Sequence, residues 1–473
     1  MRKKERADDE LRRLPTGVPG LDEVTAGGFL RAGVYIFQGA PGAGKTILAN
    51  QVAHAHAAAG GTVVYVTMLA ESHARLLQHI GGFSFFQPSA VPEQIYYISG
   101  FQALRDEGLR GVVNLLRQEM RTRKAGLVVL DGLVMAATAA ASEQDLKLFV
   151  SEIQAHSALT GCTTLLLTSE QADRPVTPEQ TMVDGIVLLR ERAFGPRRQR
   201  QIEVVKFRGS PTLRGSHAFD IGPAGIVVYP RLEAARRISG EDAVRPEAIP
   251  SGVAGLDRLF LLGGYPRGSV VVVSGVAGSG KTLLALHYLA AARAREKALF
   301  VGFYESPELL ARIAEMAGLA QPGGFGRHVE FVWLPFGEMG LDEVAANILE
   351  RVRRLGATRL VIDGMGGLMA ATGFQERGAP FLAAFGNELR RTGVTTFTTV
   401  EQQDASRALA LDSATLSSLS DVQLDIQLHT DDVTRRFISV RKNRLSLFRR
   451  ERCEIVLTGE GLAVLEPGAT GGR

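Results

Sequence analysis

The chain has few cysteines and lacks the apolar segments that secretion or membrane insertion would need. Only two of its 473 residues are cysteines, Cys162 and Cys453. Two distant cysteines cannot build the disulfide framework of a secreted protein, so a reducing compartment is expected. The first ten residues are mostly charged and no run of 18 apolar residues occurs, which argues against a signal peptide and a membrane-spanning helix. These features predict a cytoplasmic protein with no membrane association.

Lysine is also scarce, and neither sign of charge dominates. The 54 Lys and Arg residues include 9 lysines and face 50 Asp and Glu residues, for a net charge of +4. Hydrophobic residues make up 45% and charged residues 22% of the chain, proportions that are typical of folded protein. At roughly 150 residues per domain, the length predicts two to four domains.

A long internal repeat divides the chain. Segments that begin at Thr16 and Ser251 share the pattern T/S-G-V-x-G-L-D and continue into similar glycine-rich loops. The offset is 235 residues at first and 236 from Gly27 and Gly263 onward, which indicates a duplicated domain rather than a short solenoid repeat. The predicted organisation is a charged N-terminal segment (1–13), a first domain (14–233), a linker (234–248), a second domain (249–465) and a short tail (466–473).

Each half has the pattern of an α/β fold. Apolar runs of strand length, such as Val34–Gln38 and Val270–Ser274, alternate with helical stretches. This alternation is typical of parallel βαβ units in a sheet that is buried on both faces. Towards the end of each half the strand-like runs are separated by turns, as at Gln201–Phe207. The sequence therefore predicts two tandem domains, each with a mainly parallel sheet flanked by helices and an antiparallel extension.

Both halves carry the pattern G-x-x-x-x-G-K-[ST] directly after an apolar strand. Glycines let backbone N–H groups approach phosphate oxygens, and the positive end of the following helix faces the same anion. In this pattern the lysine reaches the β- and γ-phosphates and the hydroxyl binds Mg²⁺. The predicted ATP-binding residues are Gly39, Gly42, Ala43, Gly44, Lys45 and Thr46 in the first half, and Gly275, Gly278, Ser279, Gly280, Lys281 and Thr282 in the second.

Asp131 and Asp363 end apolar strands at matching places of the repeat. Nucleotide-binding sheets place there the carboxylate that holds Mg²⁺ through water. Together with the loop hydroxyls of Thr46 and Thr282, these aspartates are the predicted metal-binding residues. The alternative is an aspartate that only caps the following helix.

A glutamate follows another strand in each half, Glu71 in the first and Glu305 in the second. Sites in parallel sheets open at the carboxyl ends of strands, and a carboxylate there can orient or deprotonate the attacking water. With Lys45 and Lys281, these glutamates are the predicted catalytic residues. The alternative is a solvated carboxylate at the start of a helix.

Lys206 and Arg208 have counterparts in Lys442 and Arg444, again at an offset of 236 residues. Residues two apart in a strand point to the same face. Such a pair can supply positive charge to a γ-phosphate, as an arginine finger does. The alternative is a solvated edge strand, where lysine is common.

Taken together, these motifs resemble the KaiC family of tandem RecA-like ATPases, within the RecA/RadA superfamily. The resemblance spans nearly the whole chain and includes the opening motif, both phosphate loops, both aspartate strands and the segment from Lys206 to Gly215. It implies two RecA-like P-loop domains that use ATP and Mg²⁺. It also implies a homo-oligomer of two stacked six-membered rings, in which each Lys-x-Arg pair reaches the γ-phosphate of the neighbouring subunit's nucleotide.

In KaiC-like proteins the second domain can phosphorylate itself on adjacent hydroxyl residues. By position relative to Asp421, the resemblance implies that Ser417 and Ser418 are the candidate phosphorylation sites, and the alternative is an unmodified serine-rich loop. The clock protein has two adjacent glutamates after the second strand, whereas Ala70 and Tyr304 stand at one of these places here. We therefore expect weaker kinase than ATPase activity and a role outside a circadian clock.

Two hypotheses of function remain open on the sequence. The first is an ATP-hydrolysing signalling or scaffold ring with serine autokinase activity and an unidentified signalling partner. The second is a DNA-dependent ATPase of the RecA/RadA type, which would need a basic channel bearing aromatic residues. Basic clusters such as Arg197–Arg200 contain no interleaved aromatics and are typical of solvated faces, so nucleic-acid binding is not expected. Because both loops are intact, the sequence does not decide whether both halves hydrolyse ATP.

Overall fold

The computed structural model describes residues 13–68, 73–169, 178–194, 197–235, 245–293, 296–319, 325–334, 339–370, 377–402, 416–417, 419–430, 433–459 and 461–465. The chain divides into two compact units, Met1–Ala235 and Arg236–Arg473. In the part of the chain that the structure describes, no helix is long and apolar enough to cross a membrane.

Strands and helices alternate along the first unit. Its strands are β1 (Arg13–Leu14), β2 (Phe29–Leu30), β3 (Val34–Gly39), β4 (Val63–Thr67), β5 (Ile95–Ser99), β6 (Leu127–Asp131), β7 (Thr163–Thr168), β8 (Gly185–Phe194), β9 (Arg197–Phe207), β10 (Ser216–Gly222) and β11 (Gly225–Tyr229). Its helices are α1 (Leu21–Val24), α2 (Lys45–Ala58), α3 (His73–Ile80), α4 (Phe101–Thr122), α5 (Leu133–Ala139), α6 (Glu143–Thr160) and α7 (Pro178–Met182).

Nine of these strands form one sheet in the order β11-β10-β9-β8-β3-β7-β6-β4-β5. The strands from β8 to β5 in this order are parallel to their neighbours. Strands β9, β10 and β11 continue the sheet in antiparallel fashion. The separate pair β1–β2 is antiparallel. The predicted fold, a mainly parallel sheet with an antiparallel extension, is confirmed.

The central strand β3 shows why helices cover both faces of this sheet. Successive side chains of a strand point to opposite faces. Tyr35 and Phe37 pack in the same apolar cluster as residues of α2, whereas Val34 and Ile36 pack with residues of α4 and α6. All four are fully buried. The carboxyl ends of the parallel strands are left as the edge where a site can open.

The second unit repeats this architecture. Its strands are β12 (Arg245–Ile249), β13 (Tyr265–Arg267), β14 (Val270–Gly275), β15 (Ala298–Gly302), β16 (Val329–Trp333), β17 (Arg359–Asp363), β18 (Thr395–Glu401), β19 (Val422–Thr430), β20 (Thr434–Asn443), β21 (Arg452–Thr458) and β22 (Gly461–Val464). Its helices are α8 (Ala254–Asp257), α9 (Lys281–Ala290), α10 (Pro307–Met316), α11 (Leu341–Leu355), α12 (Met365–Ala370) and α13 (Gly378–Thr392). The sheet order β16-β15-β17-β18-β14-β19-β20-β21-β22 is the same as in the first unit.

Candidate nucleotide-binding site

The two phosphate loops connect the carboxyl ends of β3 and β14 to helices α2 and α9. Gly44 and Gly280 come directly before these helices with φ angles of 98° and 99°. This left-handed conformation is one that glycine adopts at no steric cost. The helices therefore begin abruptly at the loops, and their first backbone N–H groups are available to an anion.

Lys45 and Lys281 bend back over their own loops. Each Nζ donates to the carbonyl oxygens of the first two loop residues, at 2.7 and 3.0 Å in the first domain and 2.9 and 2.8 Å in the second. Burial lowers the pKa of both lysines, and the charges of nearby carboxylates oppose this effect. A phosphate that entered either loop would find the ammonium group already in place.

In the first domain, the structure brings the predicted metal-binding residues together. Asp131, at the end of β6, accepts hydrogen bonds on Oδ2 from the Thr46 hydroxyl (3.1 Å) and from the Tyr65 hydroxyl (3.0 Å). Carboxylate and hydroxyl oxygens are suitable ligands for Mg²⁺, which binds through few protein groups together with water and phosphate. The described residues contain no group of three or more His, Cys, Asp or Glu that could hold a metal ion by itself.

In the second domain, the corresponding carboxylate is more deeply buried. Asp363 is 4% exposed, and its Oδ1 accepts a hydrogen bond from the Thr399 hydroxyl. Its Oδ2 is buried and has no hydrogen-bond partner within the described ranges. Burial raises the pKa of Asp363, against the effect of the Thr399 hydroxyl. A buried carboxylate oxygen without a partner fits a site that a cation completes.

Glu305 lies just beyond the carboxyl end of β15. Burial and the neighbouring charge of Asp363 raise the pKa of the Glu305 carboxyl, so the structure brings these two predicted residues close together. A carboxyl group with a raised pKa is better suited to accept a proton near neutral pH. Its counterpart Glu71 and the candidate phosphorylation site Ser418 lie outside the residues that the structure describes.

The Lys-x-Arg pairs lie at the edge of the sheet opposite the phosphate loops. Asp184 donates its backbone N–H to Val34, the first residue of β3, and accepts from the N–H of Arg208, both at 2.8 Å. The phosphate loop follows the other end of β3, roughly 16 Å away along the strand. Asp421 joins the start of β14 to Arg444 in the same way, at 2.9 Å for both bonds. Neither pair is therefore placed to serve the loop of its own domain.

In the first domain, the cationic side chains bind the last carbonyls of α7. Lys206 Nζ donates to the carbonyl oxygens of Gln180 (3.0 Å) and Thr181 (2.9 Å). Arg208 donates to those of Thr181 and Met182, both at 3.2 Å. Burial and the nearby Arg208 lower the pKa of Lys206.

In the second domain, the equivalent cations bind the segment that carries a candidate phosphorylation site. Lys442 Nζ donates to the Ser417 carbonyl (2.6 Å), the Ser417 hydroxyl (3.1 Å) and the Ser420 carbonyl (2.8 Å). Arg444 also donates to the Ser417 carbonyl (3.1 Å). Burial, together with the charge of Arg444, lowers the pKa of Lys442 to about 8.

Glu401 is absent from the predicted site residues, although it lies beside the second phosphate loop. It ends β18 and pairs in register with Gly275, the first loop residue. Burial lowers the pKa of Lys281, and the charge of Glu401 opposes this effect. The pattern Thr-x-Glu-Gln at 399–402 recurs as Thr-Ser-Glu-Gln at 168–171, and this repetition is the sequence signal that points to it.

These features define a protein with two tandem RecA-like P-loop domains. Each domain places a phosphate loop after the central strand and an aspartate at the end of a parallel strand two positions away. The model of the KaiC ATPase family matches residues 14–233 and 249–469. The chain therefore belongs to the KaiC ATPase family.

Curated relatives agree with this assignment over most of the chain. The circadian clock oscillator protein KaiC of Prochlorococcus marinus is 24% identical over 96% of this chain and 92% of its own length. The circadian clock protein KaiC2 of Synechocystis is 24% identical over 96% of this chain and 82% of its own. The KaiC protein of Picosynechococcus is 28% identical over 65% and 61%. Family and relatives do not favour a DNA-dependent recombinase.

Proposed function

We propose that the protein is a ring-forming ATPase that binds ATP with Mg²⁺ at both phosphate loops and hydrolyses it. The proposed domains are 14–233 and 249–465, joined by a linker at 234–248. Membership of the KaiC ATPase family supports ATP as the ligand. The observation that carries the proposal is the duplicated loop, in which a lysine and a helix N-terminus face the same turn of backbone.

The chain's own residues account for the steps of hydrolysis. Backbone N–H groups of the loops, with Lys45 and Lys281, bind the phosphates and stabilise the charge that develops on the γ-phosphoryl group. Thr46 with Asp131, and Thr282 with Asp363, would hold Mg²⁺, which neutralises phosphate charge when it is bound.

Glu71 and Glu305 are proposed to accept the proton of the attacking water. The water oxygen bonds to the γ-phosphorus as the bond to the β–γ bridging oxygen breaks, and ADP and phosphate leave.

We propose that the Lys-x-Arg pairs act on the nucleotide of a neighbouring subunit in a homo-hexameric ring. Their position at the opposite edge of the sheet from their own loop supports this arrangement. Cations at that edge are available to a loop of another copy, where they would stabilise transition-state charge as an arginine finger does. The antiparallel extension is thus proposed as one side of the subunit interface.

We further propose serine autophosphorylation in the second domain as a secondary activity. The hydrogen bond from Lys442 to the Ser417 hydroxyl supports it, since this hydroxyl lies beside a cation that is proposed to reach a γ-phosphate. In this reaction the Oγ of Ser417 or Ser418 replaces water as the nucleophile. Its proton passes to a carboxylate such as Glu305, and ADP leaves.

Separate Lys45→Ala and Lys281→Ala variants test the proposal, with Lys147→Ala, an exposed lysine on α6, as the control. ATP binding, phosphate release, oligomeric mass and intact subunit mass are measured with Mg²⁺. Each loop variant is expected to lose one ATP per chain, whereas the control keeps both. If neither loop variant lost ATP binding, the assignment would be wrong. Phosphate release without an added phosphate mass would remove the autokinase activity and leave the ATPase.

A further inference from the structure

A chain of buried hydrogen bonds lies beneath the first phosphate loop and ends on Asp131. The Tyr97 hydroxyl donates to Asn50 Oδ1 (2.7 Å), Asn50 Nδ2 donates to the Tyr65 hydroxyl (3.2 Å), and this hydroxyl donates to Asp131 Oδ2 (3.0 Å). Asn50 and Tyr65 are fully buried. We refer to these three residues as the Tyr97–Asn50–Tyr65 chain. It is also joined to the phosphate loop, because Asn50 Nδ2 donates to the Thr46 carbonyl (2.8 Å).

The chemistry of these groups determines the direction of each hydrogen bond. The Thr46 carbonyl can only accept, so the amide atom that faces it must be the NH₂ group of Asn50. This NH₂ group also faces the Tyr65 oxygen, so the single phenol proton of Tyr65 is left to point at Asp131. Burial raises the pKa of the Tyr65 phenol well above its ordinary value, which keeps the proton on Tyr65 at every relevant pH.

The second domain has apolar residues at the same three positions. The matching strand registers and the offset of 236 residues align the chain with Phe331, Leu286 and Phe300. Both tyrosines are thus replaced by phenylalanines that lack only the hydroxyl, and the amide is replaced by a branched side chain of similar size. Phe300 and Leu286 are also buried. The same scaffold therefore accepts both the polar and the apolar set.

The strand-end aspartate of the second domain is held by a different group. The Thr399 hydroxyl on the adjacent strand donates to Asp363, whereas the residue beside Asp131 in the register of β6 and β7 is Leu167. The aspartate is thus oriented from the β4 side in the first domain and from the β18 side in the second. Groups that hydrogen-bond a carboxylate at a metal site control its orientation and the affinity for the metal.

We propose that Tyr65 is a positioning residue for Mg²⁺–ATP in the first domain: it orients the Asp131 carboxylate, and Asn50 and Tyr97 orient its hydroxyl. The inference rests on the proposed function, because it requires that the first loop bind ATP with Mg²⁺. Tyr65 does not touch the nucleotide site directly, since its hydroxyl reaches the site only through Asp131.

The test uses full-length Lys281→Ala protein, in which only the first loop is expected to bind. Affinity for a fluorescent, non-hydrolysable ATP analogue is measured across a Mg²⁺ titration and in EDTA. Tyr65→Phe is expected to raise the Mg²⁺ concentration at half-maximal effect about tenfold, with unchanged affinity in EDTA. Tyr97→Phe keeps the bond between Tyr65 and Asp131 and is expected to give a smaller shift in the same direction.

Tyr96→Phe is the matched control. It removes a hydroxyl from the adjacent residue of β5, one that donates to the Glu93 carbonyl (3.0 Å) and not to the chain. Thermal unfolding of each variant verifies the fold, and phenylalanine at the position of Tyr65 is already tolerated by the second domain. If the Mg²⁺ midpoints of Tyr65→Phe and Tyr97→Phe matched that of Tyr96→Phe, the inference would be overturned while the proposed function stood. If the parent bound no analogue at all, the proposed function would fail first.

Discussion

Arg390 and Asp421 form a buried ion pair in which Arg390 Nε donates to Asp421 Oδ2 at 2.9 Å. The two side chains are 9% and 7% exposed. The same carboxylate oxygen accepts from the backbone N–H of Val270 (2.9 Å), and Arg390 also donates to the Leu419 carbonyl (2.6 Å). The pair therefore ties α13 to the start of β14 and to the segment next to Ser417.

We expect Arg390→Met to destabilise the second domain by about 3–5 kcal/mol, because Asp421 is left buried without its counter-charge. Urea unfolding of the full chain measures the loss. Arg391→Met is the control, since its guanidinium bonds to Glu388 at 2.8 Å but is 38% exposed. An exposed pair contributes about 1 kcal/mol or less. Equal losses in the two variants would contradict the role assigned to Arg390.

Mixed rings test whether the Lys-x-Arg pairs act between subunits. In a Lys281→Ala background, Lys45→Ala removes the first loop, and a double Lys206→Ala, Arg208→Ala variant removes the cations. Each protein alone is expected to be nearly inactive. A random mixture is expected to recover about one quarter of the parent turnover, since half the loops are intact and half of their neighbours supply cations. No recovery in rings of verified mixed composition would mean that the pairs act within their own subunit.

Glu305→Gln is expected to lower ATP turnover about 100-fold with little change in ATP affinity, because an amide cannot accept the proton of the attacking water. The measurement uses a Lys45→Ala background, so that only the second domain hydrolyses. Glu308→Gln is the control, because Glu308 is an exposed carboxylate in the first turn of α10. A similar fall in turnover for the two glutamine variants would contradict a specific role for Glu305.

His54 predicts a loss of stability in mild acid. Burial lowers the pKa of this histidine to about 4 from its ordinary 6.5, and its Nε2 is buried without a hydrogen-bond partner among the described residues. The unfolded chain therefore binds a proton between about pH 6.5 and pH 4 that the folded chain does not. The stability due to neutral His54 is complete above pH 6.5 and is lost as the pH falls towards 4, by up to about 3 kcal/mol.

Unfolding midpoints measured from about pH 7.5 to about pH 4.5 check this dependence. His54→Asn keeps an acceptor for the backbone N–H of Gln87, which bonds to His54 Nδ1 at 3.3 Å, and is expected to flatten the pH dependence of the first domain. His79→Asn, which changes an exposed histidine on α3, is expected to leave the dependence as it is. A parallel pH profile for His54→Asn and the parent would count against the prediction.

Much of the fold follows from local patterns. The apolar runs that form β3 and β14, and the loops after them, were predictable because strand-forming residues and glycines act within a few positions of the chain. The repeat then predicted the same sheet twice, and the strand orders of the two units agree. The roles assigned to Lys45, Asp131 and the other predicted site residues stay predictions until they are tested.

Other parts of the site could not be predicted because their partners are far apart in sequence. Tyr65 and Asp131 are 66 residues apart, and no motif connects them. They meet only because β4 and β6 pair in a register that sets Thr67 beside Asp131. Thr399 reaches Asp363 for the same reason, from the other neighbouring strand.

The amino-acid sequence by itself determined the two-domain repeat, the order of strands and helices and the identity of both phosphate loops, since each depends on residues that are close in the chain. Tertiary structure alone decided which side chain orients each strand-end aspartate and at which edge of the sheet each Lys-x-Arg pair lies. The physical reason is that hydrogen bonds between strands depend on register and direction, which exist only once distant segments lie side by side.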